Sequence, residues 1–103
     1  MVAARDRWIT LLAAGCALVA AAGGCRAPGD LESPNPYERA RAAVLRAEAG
    51  DAAAVHRLVV LLEDPDPAVR MYSILALERL CGTTYGYVYH ASISERAAAV
   101  ARW

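Results

Sequence analysis

The side chains that could act as nucleophile or base are scarce. Cys81 and His90 lie nine residues apart, His56 stands alone, and the other two cysteines, Cys16 and Cys25, fall in the first quarter of the chain. A thiol nucleophile would need His90 within hydrogen-bond reach and a third group to orient the ring. No acidic residue lies between Cys81 and His90. Cys81 is therefore expected to pack as a small apolar residue in a last helical turn, as unoxidised cysteine commonly does, and His90 to be a solvated loop residue. His56, beside Arg57, is expected at the surface. Two histidines and one thiol at unrelated spacing do not make a zinc site. Neither paired carboxylates in a plausible pocket nor a glycine-rich phosphate loop is present. The expectation is no catalytic residue, no metal and no cofactor, with a Cys81/His90 enzyme as the rival reading.

A second group has the chemistry of contact. Tyr85, Tyr87, Tyr89 and His90 share one short stretch, and loop aromatics are enriched where proteins bind partners. The same rings could instead close the core of a small domain. Asp66 and Arg70 stand four residues apart, an order that favours a weak ion pair on a helix.

The elements that must position these residues are helical. The third predicted helix, residues 67–81, has both ends written locally: Asp66 as cap, Pro67 at the first position, and Gly82 to take the left-handed conformation. Val69, Tyr72, Ile74, Leu75, Ala76, Leu77 and Leu80 surround it, which predicts burial on more than one side. Before it, a helix over 36–49 should pack through Tyr37, Ala40, Val44 and Ala47, and stop at Gly50. Asp51 then caps a helix over 52–63, ended by the restriction that Pro65 places on Asp64. So short a link makes these two an antiparallel hairpin. After Gly82, alternating Tyr85, Tyr87 and Tyr89 have a strand's period, but Gly86 and the lack of a second strand predict an ordered loop. Ser92 and Glu95 fit a capping box for a last helix starting at Ile93, with Ser94 as an alternative cap and a start at Glu95; Ile93, Ala97, Val100 and Trp103 are its packing face, and the final turn is expected to fray.

Asp64-Pro65-Asp66-Pro67-Ala68-Val69-Arg70, with Ala76-Leu77-Glu78-Arg79-Leu80 after it, resembles a HEAT repeat. It is similar in particular to the short type named after phycobilisome lyases. The continuation through the tyrosines to Trp103 resembles small bacterial HEAT-domain lipoproteins. The resemblance implies an all-α stack of about four antiparallel helices over residues 36–103, and a ladder role for Asp66 and Arg70. It implies a fold without chemistry, because the chain is too short for the chromophore site of the lyases. Two repeat units are few for a solenoid. The tyrosine loop and Trp103 are expected to cover one end, in competition with a partner or a second copy.

The first quarter reads as an export signal. Arg5 and Arg7 precede an apolar run from Trp8 to about Ala22, closed by Gly23, Gly24 and Cys25. Ala22-Gly23-Gly24-Cys25 resembles a lipobox, which implies lipid on Cys25 and a signal peptide over 1–24; the alternative is an ordinary cleaved signal with Cys25 unmodified. Cys16 is the competing site and leaves too few apolar residues before it. Residues 25–35, with two prolines and a third just after them at Pro36, are expected to be a flexible tether reaching at most about 35 Å. Arg26 after the cysteine implies the outer membrane where two membranes exist. If Cys25 carries lipid, no intramolecular disulfide can form in the mature chain.

Eleven arginines and no lysine balance eleven acidic residues, and removal of 1–24 leaves nine against ten. A near-neutral chain lacks the basic patch that nucleic-acid binding needs. The expectation is a membrane-anchored protein-binding or scaffolding module of the cell envelope, with a protein partner and no evident small-molecule substrate.

Overall fold

The computed structural model describes residues 30–103. The expected signal over 1–24, Cys16, Cys25 and the first part of the tether lie outside the described residues. Among those described there are helices and no strand: α1 (Pro36–Glu48), a 3-10 turn (Ala52–Ala54), α2 (Val55–Leu61), α3 (Pro67–Cys81) and α4 (Ile93–Val100). None is long and apolar enough to cross a membrane.

Local chemistry sets the helix ends. The Asn35 side chain accepts from Tyr37 N–H at 3.0 Å, with Pro36 in the first turn. Asp66 Oδ1 accepts from Ala68 and Val69 N–H at 2.8 and 3.4 Å, and Gly82 closes α3 at φ 77° with its N–H on the Glu78 carbonyl at 2.7 Å. Each bond satisfies a group that a helix terminus leaves unpaired. At Ser92 both halves of the capping box are present.

Where residues 52–63 were expected to form one helix, the structure has a 3-10 turn followed by seven residues of α-helix. Asp51 draws the first turn tight, accepting from Ala53 N–H through its side chain and from Ala54 N–H through its carbonyl, both at 3.1 Å. At the other end Leu62, Glu63 and Asp64 donate three residues back rather than four. The tighter winding fits the chain to the extended conformation required before Pro65.

α3 packs against both α1 and α2. Leu58, Leu62, Val69, Ser73 and Leu77 are fully buried, and Ala40, Ala42, Ala43 and Ala47 line the side of α1. Small residues let the α1 backbone come close. The buried face of α1 is thus rotated away from Tyr37, which is 71% exposed instead of packed. α3 departs from expectation in the same way: it buries Val69, Arg70, Ser73, Ile74, Ala76 and Leu77 but leaves Tyr72 and Leu75 open. Cys81, expected in the core, is exposed, because the helix runs on past its packed face.

α4 also turns differently. Among the described residues Ile93 is the most exposed large apolar side chain, and Ala97 is exposed, while Ala99 is buried and Val100 and Trp103 are half-buried against the core. The final turn tightens: Arg102 and Trp103 donate to Ala99 and Val100 carbonyls at 3.0 Å. The lead-in to α1 belongs to the folded unit, since Leu31 and Ser33, assigned to the tether, are buried. Ser33 is held through its hydroxyl on Glu38 at 2.5 Å and its carbonyl under Arg39 at 2.7 Å.

Candidate functional site

Residues 83–92 form the loop that carries the candidate contact residues. Two threonines shape its start: Thr83 and Thr84 hydroxyls accept from Tyr85 and Gly86 N–H at 3.1 and 3.3 Å, and the Thr84 carbonyl accepts from Tyr87 N–H at 3.0 Å. The turn takes Tyr85 to φ 48° and Gly86 to φ 76°. Tyr85, unlike glycine, adopts this conformation at a cost.

That turn separates the tyrosines. Tyr87 enters the core at 4% exposure, and its hydroxyl donates to the Leu62 carbonyl at the end of α2. Burial pushes its phenol above the ordinary range, against the opposing pull of the Arg70 and Arg96 charges, with a small further push from Glu63. Tyr85 faces outwards and meets Trp103 edge-on, with ring centroids 4.8 Å apart. Tyr89 is half-buried against the core and stands edge-on to the exposed His90 ring. The four residues therefore do not form one surface. Tyr85, Val88 and His90 are presented outwards, while Tyr87 and Tyr89 anchor the loop from within.

Three arginines hold the loop by its carbonyls. Arg70 Nε donates to Tyr89 O at 3.0 Å, Arg96 Nη1 to Ala91 O at 2.5 Å, and Arg102 Nε to Tyr85 O at 2.8 Å. Arg70 does not pair with Asp66. Its Nη1 takes the Asp64 and Pro65 carbonyls at 2.7 and 3.1 Å, and Asp66 serves as the α3 cap. The ion pair at this corner is Arg39 with Asp64, two-pronged at 2.9 and 3.1 Å and largely buried. Asp64 Oδ1 also accepts from Asp66 N–H at 2.9 Å. Sequence reasoning missed Arg39 and Arg102, since their partners lie 25 and 17 residues away.

Between the loop and α4 lies an open pocket of about 340 Å³, lined by Gly86, Val88, Ala91, Glu95, Ala98 and Arg102. Glu95 and Arg102 are already engaged in the capping box and the loop carbonyl. Cys81 and His90 are both exposed and no hydrogen bond joins them among the described residues. His56 is exposed as expected. Among the described residues, no group of histidine, cysteine and acidic side chains could hold a metal ion.

A family model described as HEAT repeats matches residues 30–100. Its start coincides with the buried lead-in at Leu31. Searches of the curated proteins and of the solved structures gave no match. HEAT repeats in general serve as scaffolds for protein partners, stacking helices into surfaces rather than building catalytic clefts. The match spans most of the chain and coincides with an all-helical stack, and this chain belongs to the HEAT-repeat family.

Proposed function

We propose that the chain is a lipoprotein of the bacterial cell envelope, anchored to a membrane through lipid on Cys25, whose HEAT domain of the short lyase-like type binds or scaffolds a protein partner. The observation that carries the binding reading is the fastening of the loop. Tyr85, Val88 and His90 stand outwards on a segment fixed by Arg70, Arg96, Arg102 and Tyr87. A contact surface held rigid before binding loses less entropy when a partner docks.

The anchor is supported by sequence: Arg5 and Arg7, the apolar run, and Ala22-Gly23-Gly24-Cys25. Cleavage before Cys25 would leave only a few residues between lipid and Leu31, so the domain would sit close to the bilayer, at the outer membrane where two membranes are present. Protein partners and the membrane are the expected contacts, with no nucleic acid. A Cys81/His90 thiol enzyme gains no support, because neither side chain is oriented by the other.

Two measurements test this reading. The intact mass of protein from its own host should correspond to a chain starting at Cys25 with added acyl groups, and Cys25→Ala should abolish that mass and the membrane association. A mature mass without acyl groups would remove the anchor. Photo-cross-linking in native envelopes from position 88 should give a discrete adduct, weakened by Tyr85→Ala. An adduct pattern indifferent to the loop would remove the contact surface.

A further inference from the structure

The side of α3 turned away from α1 and α2 is open. Ala68, Tyr72, Leu75 and Arg79 run along it at spacings of four, three and four residues, one continuous stripe on a helix. Tyr72 is 39% and Leu75 52% exposed, and Ala68 and Arg79 are exposed as well.

We propose that this stripe is the docking surface for a second copy of the chain, with the two α3 helices antiparallel about a two-fold axis. The stripe is self-complementary about its midpoint. An axis there sets each Tyr72 against the partner's Leu75, ring on branched aliphatic, so both apolar contacts are made twice. Ala68 falls opposite the partner's Arg79, and its methyl group leaves room for the long aliphatic stem. The guanidinium then reaches the partner's Asp66, one oxygen of which accepts the Ala68 and Val69 N–H bonds while the other is unengaged among the described residues. Arg79 forms no ion pair within the described residues.

Charge selects this orientation. A parallel pairing would oppose Arg79 to the partner's Arg79, whereas the antiparallel one brings each cation to a carboxylate. The spacing of four, three and four is that of a helix seam, where side chains of one helix enter the gaps of the other. The inference needs neither the lipid anchor nor the loop contact, and it stands or falls separately from them.

Sedimentation equilibrium of the full chain under reducing conditions, from micromolar to near-millimolar concentration, tests it. The expected result is a reversible monomer–dimer equilibrium that weakens with salt. Leu75→Glu enters the interface twice and should raise the dissociation constant by roughly a hundredfold, about tenfold per copy. Arg79→Glu should raise it about tenfold and flatten the salt dependence. Circular dichroism should be unchanged for both variants, because both side chains are exposed. In a background with Cys16, Cys25 and Cys81 all changed to serine, mixing Tyr72→Cys copies with Leu75→Cys copies should yield the mixed disulfide in excess over either homodisulfide. A monomer at every concentration, a dimer whose affinity survives both charge variants, or a predominance of homodisulfides would overturn the proposal.

Discussion

Arg70 on α3 donates from Nε to the Tyr89 carbonyl at 3.0 Å, across nineteen residues of sequence, while its Nη1 holds the Asp64 and Pro65 carbonyls. One buried cation thus ties the corner before α3 to the loop after it. Carbonyl dipoles can satisfy a guanidinium as a carboxylate does, provided that several converge. Tyr87 enters from the loop towards the same corner and bonds the Leu62 carbonyl, so loop and corner are joined from both sides.

Arg70→Met should therefore cost more than an exposed arginine would. It would unpair three carbonyls in a part-buried site, and each such group costs about 1–3 kcal/mol before relaxation. A loss of roughly 3 kcal/mol in urea unfolding is expected, with increased hydrogen exchange confined first to residues 83–92. Equal exchange across the whole domain would show that Arg70 does not fasten the loop specifically.

The Arg39–Asp64 pair should behave as a buried couple, with both side chains mostly screened from water. Removing one partner leaves the other charge uncompensated, and such single changes cost about 3–5 kcal/mol when burial is complete. Arg39→Met and Asp64→Asn should each fall at or somewhat below the low end of that range. The double variant should cost less than the sum of the two singles. Additive losses in a double-mutant cycle would show that the two side chains do not act as a pair.

Much of the helical layout was legible because it is local. Asp66, Pro67 and Gly82 bound α3, and Ser92 with Glu95 starts α4, through bonds that span at most four residues. Facing was harder to read. Apolar periodicity favours large side chains, yet α1 packs through Ala42 and Ala43 and leaves Tyr37 in water. The candidate loop was legible as a cluster of tyrosines but not in its division, because the left-handed turn at Tyr85 and Gly86 decides which ring enters the core. Arg39, Arg70 and Arg102 find partners through tertiary folding, and no spacing announces them.

Tyr87→Phe separates packing from the phenol. The ring still fills the core, and loss of the bond to the Leu62 carbonyl should cost about 1 kcal/mol. The pH dependence carries more information. Burial raises the folded phenol's pKa above its unfolded value near 10, so the folded state retains the proton longer. Its contribution is fully present below pH 10 and is lost as pH rises through the raised folded value. Stability of the parent chain should fall more steeply than that of Tyr87→Phe above about pH 10. Parallel curves would show that the phenol ionises alike in both states.

Ser73 presents the opposite case, a polar group whose removal should help. It lies in the middle of α3 at 0% exposure, and its Oγ has no hydrogen-bond partner among the described residues. A hydroxyl taken out of water with no bond to replace the lost one costs about 1–3 kcal/mol on mutational scales. Alanine is also the better helix former and leaves only a gap the size of the lost oxygen. Those two terms act in the same direction, and the small gap beside Leu77 and Val69 acts weakly against them. Ser73→Ala should therefore raise the midpoint of urea unfolding with an unchanged slope, for a gain of about 1 kcal/mol. A decrease would mean that the hydroxyl is satisfied in solution, by a bound water or by the carbonyl one turn earlier on α3, and that this position selects serine for a bond rather than despite the lack of one.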